Sequence, residues 1–301
     1  MSNSTTERRV IVRVVTCVVV AVTVATISFA VWWFVVNTDA QTAPETTPEQ
    51  VSVMPEPDAN QIDAEQENSN EVSQEELFDT ESIVEVLDTW VASTPGQASV
   101  VIADVDGNII SSTDADRQYF AASIYKLYVA YEGYTQLDDG TVDPDELYVN
   151  GHTREECLFL MINESDSPCA EKLWTELGKE AVTEKLKGYG LENTSMTALS
   201  TSAGDAAVML SRIATGEGLS VASQEKYVAS METQIFRDAL NAGFSEDIIV
   251  YNKIGFNELV EYHDTAIIKL ADGRQLIVSV LTENVGTKNI AQLATALEAV
   301  L

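Results

Sequence analysis

Ser123 and Lys126 stand three residues apart in Ser123-Ile-Tyr-Lys126, just ahead of the apolar run 127–130. On a helix starting near Ser123, that spacing puts the hydroxyl and the amine on one face. A free serine is a poor nucleophile and needs an adjacent base. A lysine buried near another cation gives up its proton more readily and can be that base. Two later stretches add to the set: Ser165-Asp166-Ser167, and Lys253-Ile254-Gly255 after a strand-like run. Ser165 could relay a proton to a leaving group, Lys253 could hold a substrate carboxylate, and Gly255 would let substrate backbone approach closely. Together these parts can attack a carbonyl and hold its anionic intermediate. Each has a plainer role when taken singly. Ser123 could be a helix cap beside an incidental lysine, Ser165 or Asp166 a cap as well, and Lys253 an ordinary strand end. Ser223-Gln-Glu-Lys226 repeats the first spacing in a polar stretch and reads as an exposed helix face.

The elements that must position these groups are legible in outline. Ile83, Val84, Val86, Leu87, Trp90 and Val91 form an apolar helical face that ends at Pro95-Gly96. Residues 99–105 and 108–112 flank Asp106-Gly107, which predicts a tight hairpin. From 123 to about 244 the pattern is mainly helical. Strands return at 248–253, 264–270 and 275–281, the last two joined across Asp272-Gly273. A closing helix carries Ile290, Leu293, Ala294, Leu297 and Leu301 on one stripe. The expectation is an α+β domain over 77–301. Its sheet is built from the early hairpin and the late strands, flanked by the two terminal helices, with the central helices as a second lobe. A cleft between the lobes suits a small-molecule site.

The rest of the chain has a different character. Arg8, Arg9 and Arg13 precede an uncharged apolar run over 14–36, long enough to cross a bilayer, with Trp32 and Trp33 near its end. A single-pass anchor fits that length, with residues 1–13 as a cytoplasmic basic tail and everything after the run extracytoplasmic. A cleaved signal peptide is the competing reading. Residues 37–76 are rich in Glu, Asp, Gln, Thr and Pro without Lys or Arg, which describes a solvated acidic linker. Net charge is −31, and from Leu77 onward 36 acidic residues face 14 basic ones. Such a balance argues against nucleic acid as a partner. The expected contacts are a lipid bilayer through the N-terminal helix and a small-molecule substrate.

The run from Ala98 through Lys126, then Met161-Ile-Asn-Glu-Ser165-Asp-Ser167 and Lys253-Ile-Gly255, resembles the class A β-lactamases and their penicillin-binding relatives. Their motif blocks are S-x-x-K, S-D-N and K-T-G. The resemblance covers about 83–301 and implies a five-stranded antiparallel sheet with an all-helical lobe. It implies Ser123 as the acylated nucleophile, Lys126 as its base, Ser165 as proton shuttle and Lys253 as the carboxylate anchor. The N–H groups of Ser123 and Phe256 would form the oxyanion hole, with Ser167 and Gly255 against the substrate. Substrates would be β-lactams or the D-Ala-D-Ala-like ends of peptidoglycan stem peptides, handled by a β-lactamase, a D,D-peptidase or a non-turnover sensor. Three departures stand out. Ser167 replaces Asn, Ile254 replaces Thr or Ser, and the stretch 190–205 is short and lacks the E-x-x-L-N segment whose Glu activates the deacylating water. Glu192 and Asp205 are the carboxylates nearby, and neither has that context.

Cys157 and Cys169 flank the Ser165 motif and face an oxidising exterior, so either a disulfide pinning that loop or two buried thiols is open. Cys17 falls in the apolar run. His152 and His263 are too isolated for a zinc site. His263 could stand in for a family cation near the site or serve as a structural hydrogen-bonding residue. No metal, phosphate-loop or cofactor motif is present, and none is expected.

Overall fold

A computed structural model describes residues 78–257 and 260–301. The expected basic tail, anchor and linker lie outside the described residues. Among the described residues, no helix is long and apolar enough to cross a membrane.

The chain enters through α1 (Thr80–Ser93), capped by Asp79, whose carboxylate accepts from the Ser82 N–H at 3.1 Å. Then come β1 (Gln97–Asp104) and β2 (Ile109–Thr113). Their connection is wider than the two-residue turn expected at Asp106-Gly107. The Asp104 N–H bonds to the Asn108 carbonyl, Gly107 has φ +87°, and a bulge shifts the register at Ile102/Ala103. Extra residues and a bulge add local twist where a primed turn would have kept the ladder regular. After β3 (Tyr119–Phe120), a 3₁₀ turn (Ala122–Ile124) runs into α2 (Tyr125–Asp138). The small pair β4 (Leu147–Val149) and β5 (His152–Thr153) leads to α3 (Arg154–Asn163), α4 (Ser167–Leu177) and α5 (Lys179–Gly188). Next are β6 (Ser200–Thr201), α6 (Ala203–Thr215), α7 (Val221–Glu232) and the short α8 (Leu240–Gly243). β7 (Ile249–Phe256), β8 (Tyr262–Lys269), β9 (Gln275–Glu283) and α9 (Thr287–Glu298) close the domain.

Five strands form one antiparallel sheet in the order β2-β1-β9-β8-β7. Alternation along each strand divides the core in two. Val100, Ile102, Val278 and Val280 face α1 and α9 with Ile83, Leu87, Ile290 and Leu297. Val101, Ala103, Ile267 and Ile277 face the helical lobe with Leu127, Leu158, Leu210 and Ile213. The Trp90 indole N–H donates to the Asn289 carbonyl at 2.7 Å and ties the terminal helices together. This is the α+β arrangement expected from the sequence, with a helical lobe beside the sheet.

Ser223, expected on an exposed face, is instead buried and donates to Asp138 Oδ1 at 2.7 Å. It helps hold the start of α7 against the end of α2, and Lys226 pairs outside with Glu155. A buried hydroxyl facing a carboxylate on a helix end is a structural tie, and it offers no chemistry.

Cys157 on α3 and Cys169 on α4 are joined as a disulfide, with Cα atoms 5.1 Å apart. The bridge spans the loop that carries Ser165. Cross-linking a short loop restricts the unfolded chain, so the Cys157→Ser/Cys169→Ser double variant should lose about 2–4 kcal/mol of unfolding free energy in urea. Intact masses with and without reductant should differ by two hydrogens. Two freely alkylatable thiols in the unreduced protein would reject the bridge.

Candidate active site

The turn that presents Ser123 is held from several sides. Ala122 takes a left-handed φ of +43°, a costly conformation for a residue with a Cβ, and the surroundings enforce it. β3 pairs with β6 through Tyr119↔Thr201 and Phe120↔Ser200, and the Ala121 N–H donates to the Leu199 carbonyl at 2.8 Å. His263 lies beneath. Its Nδ1 accepts from the Thr282 N–H at 3.0 Å, so Nε2 carries the proton and donates to the Phe120 carbonyl at 2.9 Å. Burial holds its pKa down to about 4, so the ring is neutral at physiological pH. His263 is therefore a structural hydrogen-bonding residue and supplies no cation.

Gly255 completes the support. A Cβ there would lie 2.9 Å from both the Ile124 nitrogen and its Cγ1, and 3.0 Å from the Ala121 carbonyl oxygen. The glycine thus admits the protein's own Ser123 turn against β7. Sequence reasoning assigned that closeness to substrate backbone.

Lys126 and Lys253 converge on one hydroxyl. The Lys126 amine donates to Ser165 Oγ at 3.2 Å, to Ser167 Oγ at 3.1 Å and to the Ser165 carbonyl. The Lys253 amine donates to the same Ser165 Oγ at 3.0 Å and to the Ile254 carbonyl at 2.8 Å. Both side chains are buried. Burial brings Lys126 down to about 8, partly offset by Asp166 and Glu171. Lys253 is pushed well down by burial and by the charge on Lys126. Ser165 has φ +56°, which turns its carbonyl and hydroxyl together toward the amines. Asp166 caps α4 by accepting from the Cys169 N–H at 2.7 Å and so fixes this loop.

Sequence reasoning missed the residue that clamps β7, an edge strand of the sheet. Gln234, almost fully buried, donates to the Ile162 and Asn252 carbonyls at 3.1 and 2.9 Å and accepts from the Ile254 N–H at 3.3 Å. Arg237 donates to the Val250 carbonyl at 3.3 Å. The outward carbonyls of residues 250, 252 and 254 and the N–H of Ile254 are therefore taken by side chains. The period-two alternation turns the N–H of Phe256 outward as well, beside the Ser123 turn. Behind β7, Asp264 accepts from Asn252 Nδ2 at 3.0 Å and the Leu240 N–H at 2.9 Å, and burial raises it to about 7. A lone Gln in a loop carries no periodic signal, so nothing in the sequence marked it.

The 190–205 stretch turns its carboxylates elsewhere. Asp205 is buried and accepts from the Asn193 N–H at 2.8 Å and Thr194 Oγ1 at 2.6 Å, while Glu192 is exposed. Among the described residues, no His/Cys/Asp/Glu cluster could hold a metal ion.

These elements are those of a serine acyl-transfer fold, and comparison places the chain accordingly. The profile of the Beta-lactamase enzyme family (Beta-lactamase2) matches residues 82–300, so the chain belongs to that family. No curated protein sequence matches. Among solved structures, PBP-A is similar at TM-score 0.66 and 20% identity, over 73% of this chain and 95% of that one. A reconstructed ancestral class A β-lactamase, GNCA, gives 0.67 and 20%, over 73% and 100%. A β-lactamase from Xanthomonas campestris pv. campestris gives 0.67 and 18%, over 73% and 98%. At these identities the likeness establishes the fold. A mutant of PBP-A is also known as an acyl-enzyme complex with penicillin G, at TM-score 0.66 and 19%, over 73% and 96%.

Filling the gap at Gly255 tests the support of the turn. Gly255→Ala should cost about 1–3 kcal/mol of stability, the usual penalty of overpacking, read from urea unfolding followed by tryptophan fluorescence. An unchanged midpoint would show that the Ser123 turn is not held by this contact.

Proposed function

We propose that the protein is a membrane-anchored, extracytoplasmic serine hydrolase that forms an acyl-enzyme at Ser123 with β-lactams or D-Ala-D-Ala-like peptides. The observation that carries this reading is the convergence of two buried amines on Ser165 beside the Ser123 turn. Neutral Lys126 leaves Ser165 and Ser167 and accepts the Ser123 proton. Apo hydrogen bonds at active sites commonly rearrange in this way. Ser123 Oγ bonds to the carbonyl carbon, and the oxyanion is held by the N–H of Ser123, just before α2, and that of Phe256, at the end of β7. The carbon–nitrogen bond then breaks, and the proton passes from Lys126 through Ser165 to the departing nitrogen. Burial keeps Lys126 poorly basic, and Lys253 orients Ser165. The PBP-A acyl-enzyme supports penicillins as acyl donors on this fold. The apolar run at 14–36 supports the anchor.

Hydrolysis of the acyl-enzyme has less support than its formation. Asp205 is engaged by Asn193 and Thr194, which favours a slowly cleared ester and hence a D,D-peptidase or sensor over a fast β-lactamase. Full-length protein in detergent, incubated with a chromogenic cephalosporin and a penicillin, should give a persistent mass adduct and little turnover. Ser123→Ala should abolish the adduct and Ser223→Ala should keep it. An adduct surviving the first change would overturn the choice of nucleophile.

The rate of acylation should also rise with pH. The working form of Lys126 is deprotonated, so the rate should climb about tenfold per unit below pH 8 and level off above it, following the neutral fraction. A profile flat from pH 6 to 9 in stopped-flow acylation would remove Lys126 as the base.

A further inference from the structure

Ser167, Glu171 and Trp174 follow one another at steps of four and three residues on α4, which sets them in one row along its side. Both ends of that row have fixed partners. Ser167 Oγ accepts from the Lys126 amine at 3.1 Å, and the Trp174 ring packs on Tyr125 with centroids 4.9 Å apart. Glu171 lies between them and so faces the first turn of α2, where Tyr125 and Lys126 follow Ser123. Helical side chains lean toward the helix N-terminus, which tilts this carboxylate back toward Ser167 and Lys126. Burial lowers the Lys126 amine and raises the Tyr125 hydroxyl, and Glu171 acts on both, favouring the protonated amine and the neutral phenol.

The other carboxylates near the Ser123 turn are occupied. Asp166 is turned to the Cys169 N–H at 2.7 Å, and Asp205 is buried and engaged by Asn193 and Thr194. Glu171 is exposed, and among the described residues no hydrogen bond or ion pair holds its carboxylate; Thr175 Oγ1 donates only to its backbone carbonyl, at 2.7 Å. Lys126 is buried whereas Ser167 and Glu171 are exposed, so water reaches this row from the α4 side.

We propose that Glu171 is the general base that draws water onto the Ser123 ester, a role the 190–205 stretch leaves unfilled. The inference rests on the acyl-enzyme reading of Ser123 and names the residue through which that ester is cleared. The water oxygen bonds to the acyl carbon as Glu171 takes one of its protons. The Ser123 Oγ–carbon bond then breaks, and that proton returns to Ser123 Oγ through the neutral Lys126 amine. The free acid leaves, and Glu171 and Lys126 end as they began. With no hydrogen bond fixing the carboxylate, the water is loosely positioned and clearance is slow.

The test uses full-length protein in detergent, acylated with penicillin G at a pH above about 8, where the acylation rate is level. Excess penicillin is removed and the Ser123 adduct is followed by intact mass, with acylation timed separately by stopped flow. The wild-type adduct should decay slowly. Glu171→Gln should lengthen its lifetime about a hundredfold, the low end of general-base catalysis, and leave the acylation rate unchanged. Glu164→Gln, at an exposed carboxylate closing α3, should alter neither rate, and melting curves confirm folding of both variants. A lifetime unchanged by Glu171→Gln, an equal lengthening by Glu164→Gln, or acylation and clearance reduced by the same factor would overturn Glu171 as the base while leaving Ser123 as nucleophile. No adduct at Ser123 in the wild type would overturn both readings.

Discussion

Ser165 Oγ accepts hydrogen bonds from two lysine amines at 3.2 and 3.0 Å, so their nitrogens lie no more than about 6 Å apart. Two unit charges at that separation repel by about 3 kcal/mol at an effective dielectric near 20, before either has been desolvated. Burial adds to that penalty, so both amines are driven toward the neutral form. The arrangement is possible only because three distant pieces of chain meet: the start of α2, the α3–α4 loop and β7. The disulfide, the Asp166 cap and Gln234 hold the loop and the strand in place. Each of these supports costs chain entropy to order, and the site needs all of them at once.

β7 meets this cluster with the outward carbonyls of residues 250, 252 and 254 and the Ile254 N–H taken by side chains. Gln234, Arg237 and Lys253 take the groups that an unprotected edge would offer to another chain. Further along the same edge, the N–H of Phe256 faces outward beside the Ser123 turn. On the proposed function, edge protection and oxyanion binding fall on the same strand edge. His263 and Asp264 act from the next strand. They lock the Phe120 carbonyl and Asn252, and neither faces the reacting groups.

Local signals in the sequence reached a good part of this. The terminal helices, the three late strands and the two-sided core follow from periodicity. The pairing of Ser123 with Lys126 follows from helical spacing, and three ordered motifs made a shared site more probable than any one of them. What stayed hidden depends on contacts across long separations. Gln234 touches Ile162 and Asn252, His263 touches Phe120, and the two-residue strand at Ser200 pairs with Phe120. None of these leaves a repeat in its own neighbourhood. The Asp106-Gly107 signal placed a turn correctly but missed its width, because a bulge in β1 changes the register that a tight turn needs. Gly255 shows the same limit from the other side. The sequence marked a close approach there, and only the fold could say what approaches.

On the proposed function, the short 190–205 segment separates forming an acyl-enzyme from clearing it. Its residues are occupied in holding the nucleophile turn: Leu199 accepts from Ala121, Ser200 pairs with Phe120 and with Ser195, and Thr201 bonds to Tyr128 and Thr194. Asp205 is held within that network, with its pKa raised by burial, and a carboxylate already accepting two hydrogen bonds is poorly placed to take a proton from water. A loop that activates water must present a free carboxylate toward the ester. A loop this short spends its polar groups on keeping Ala122 and Ser123 in a strained turn. On this reading, the lifetime of the ester is set by what lies behind the nucleophile, and the amines in front of it set only how fast the ester forms.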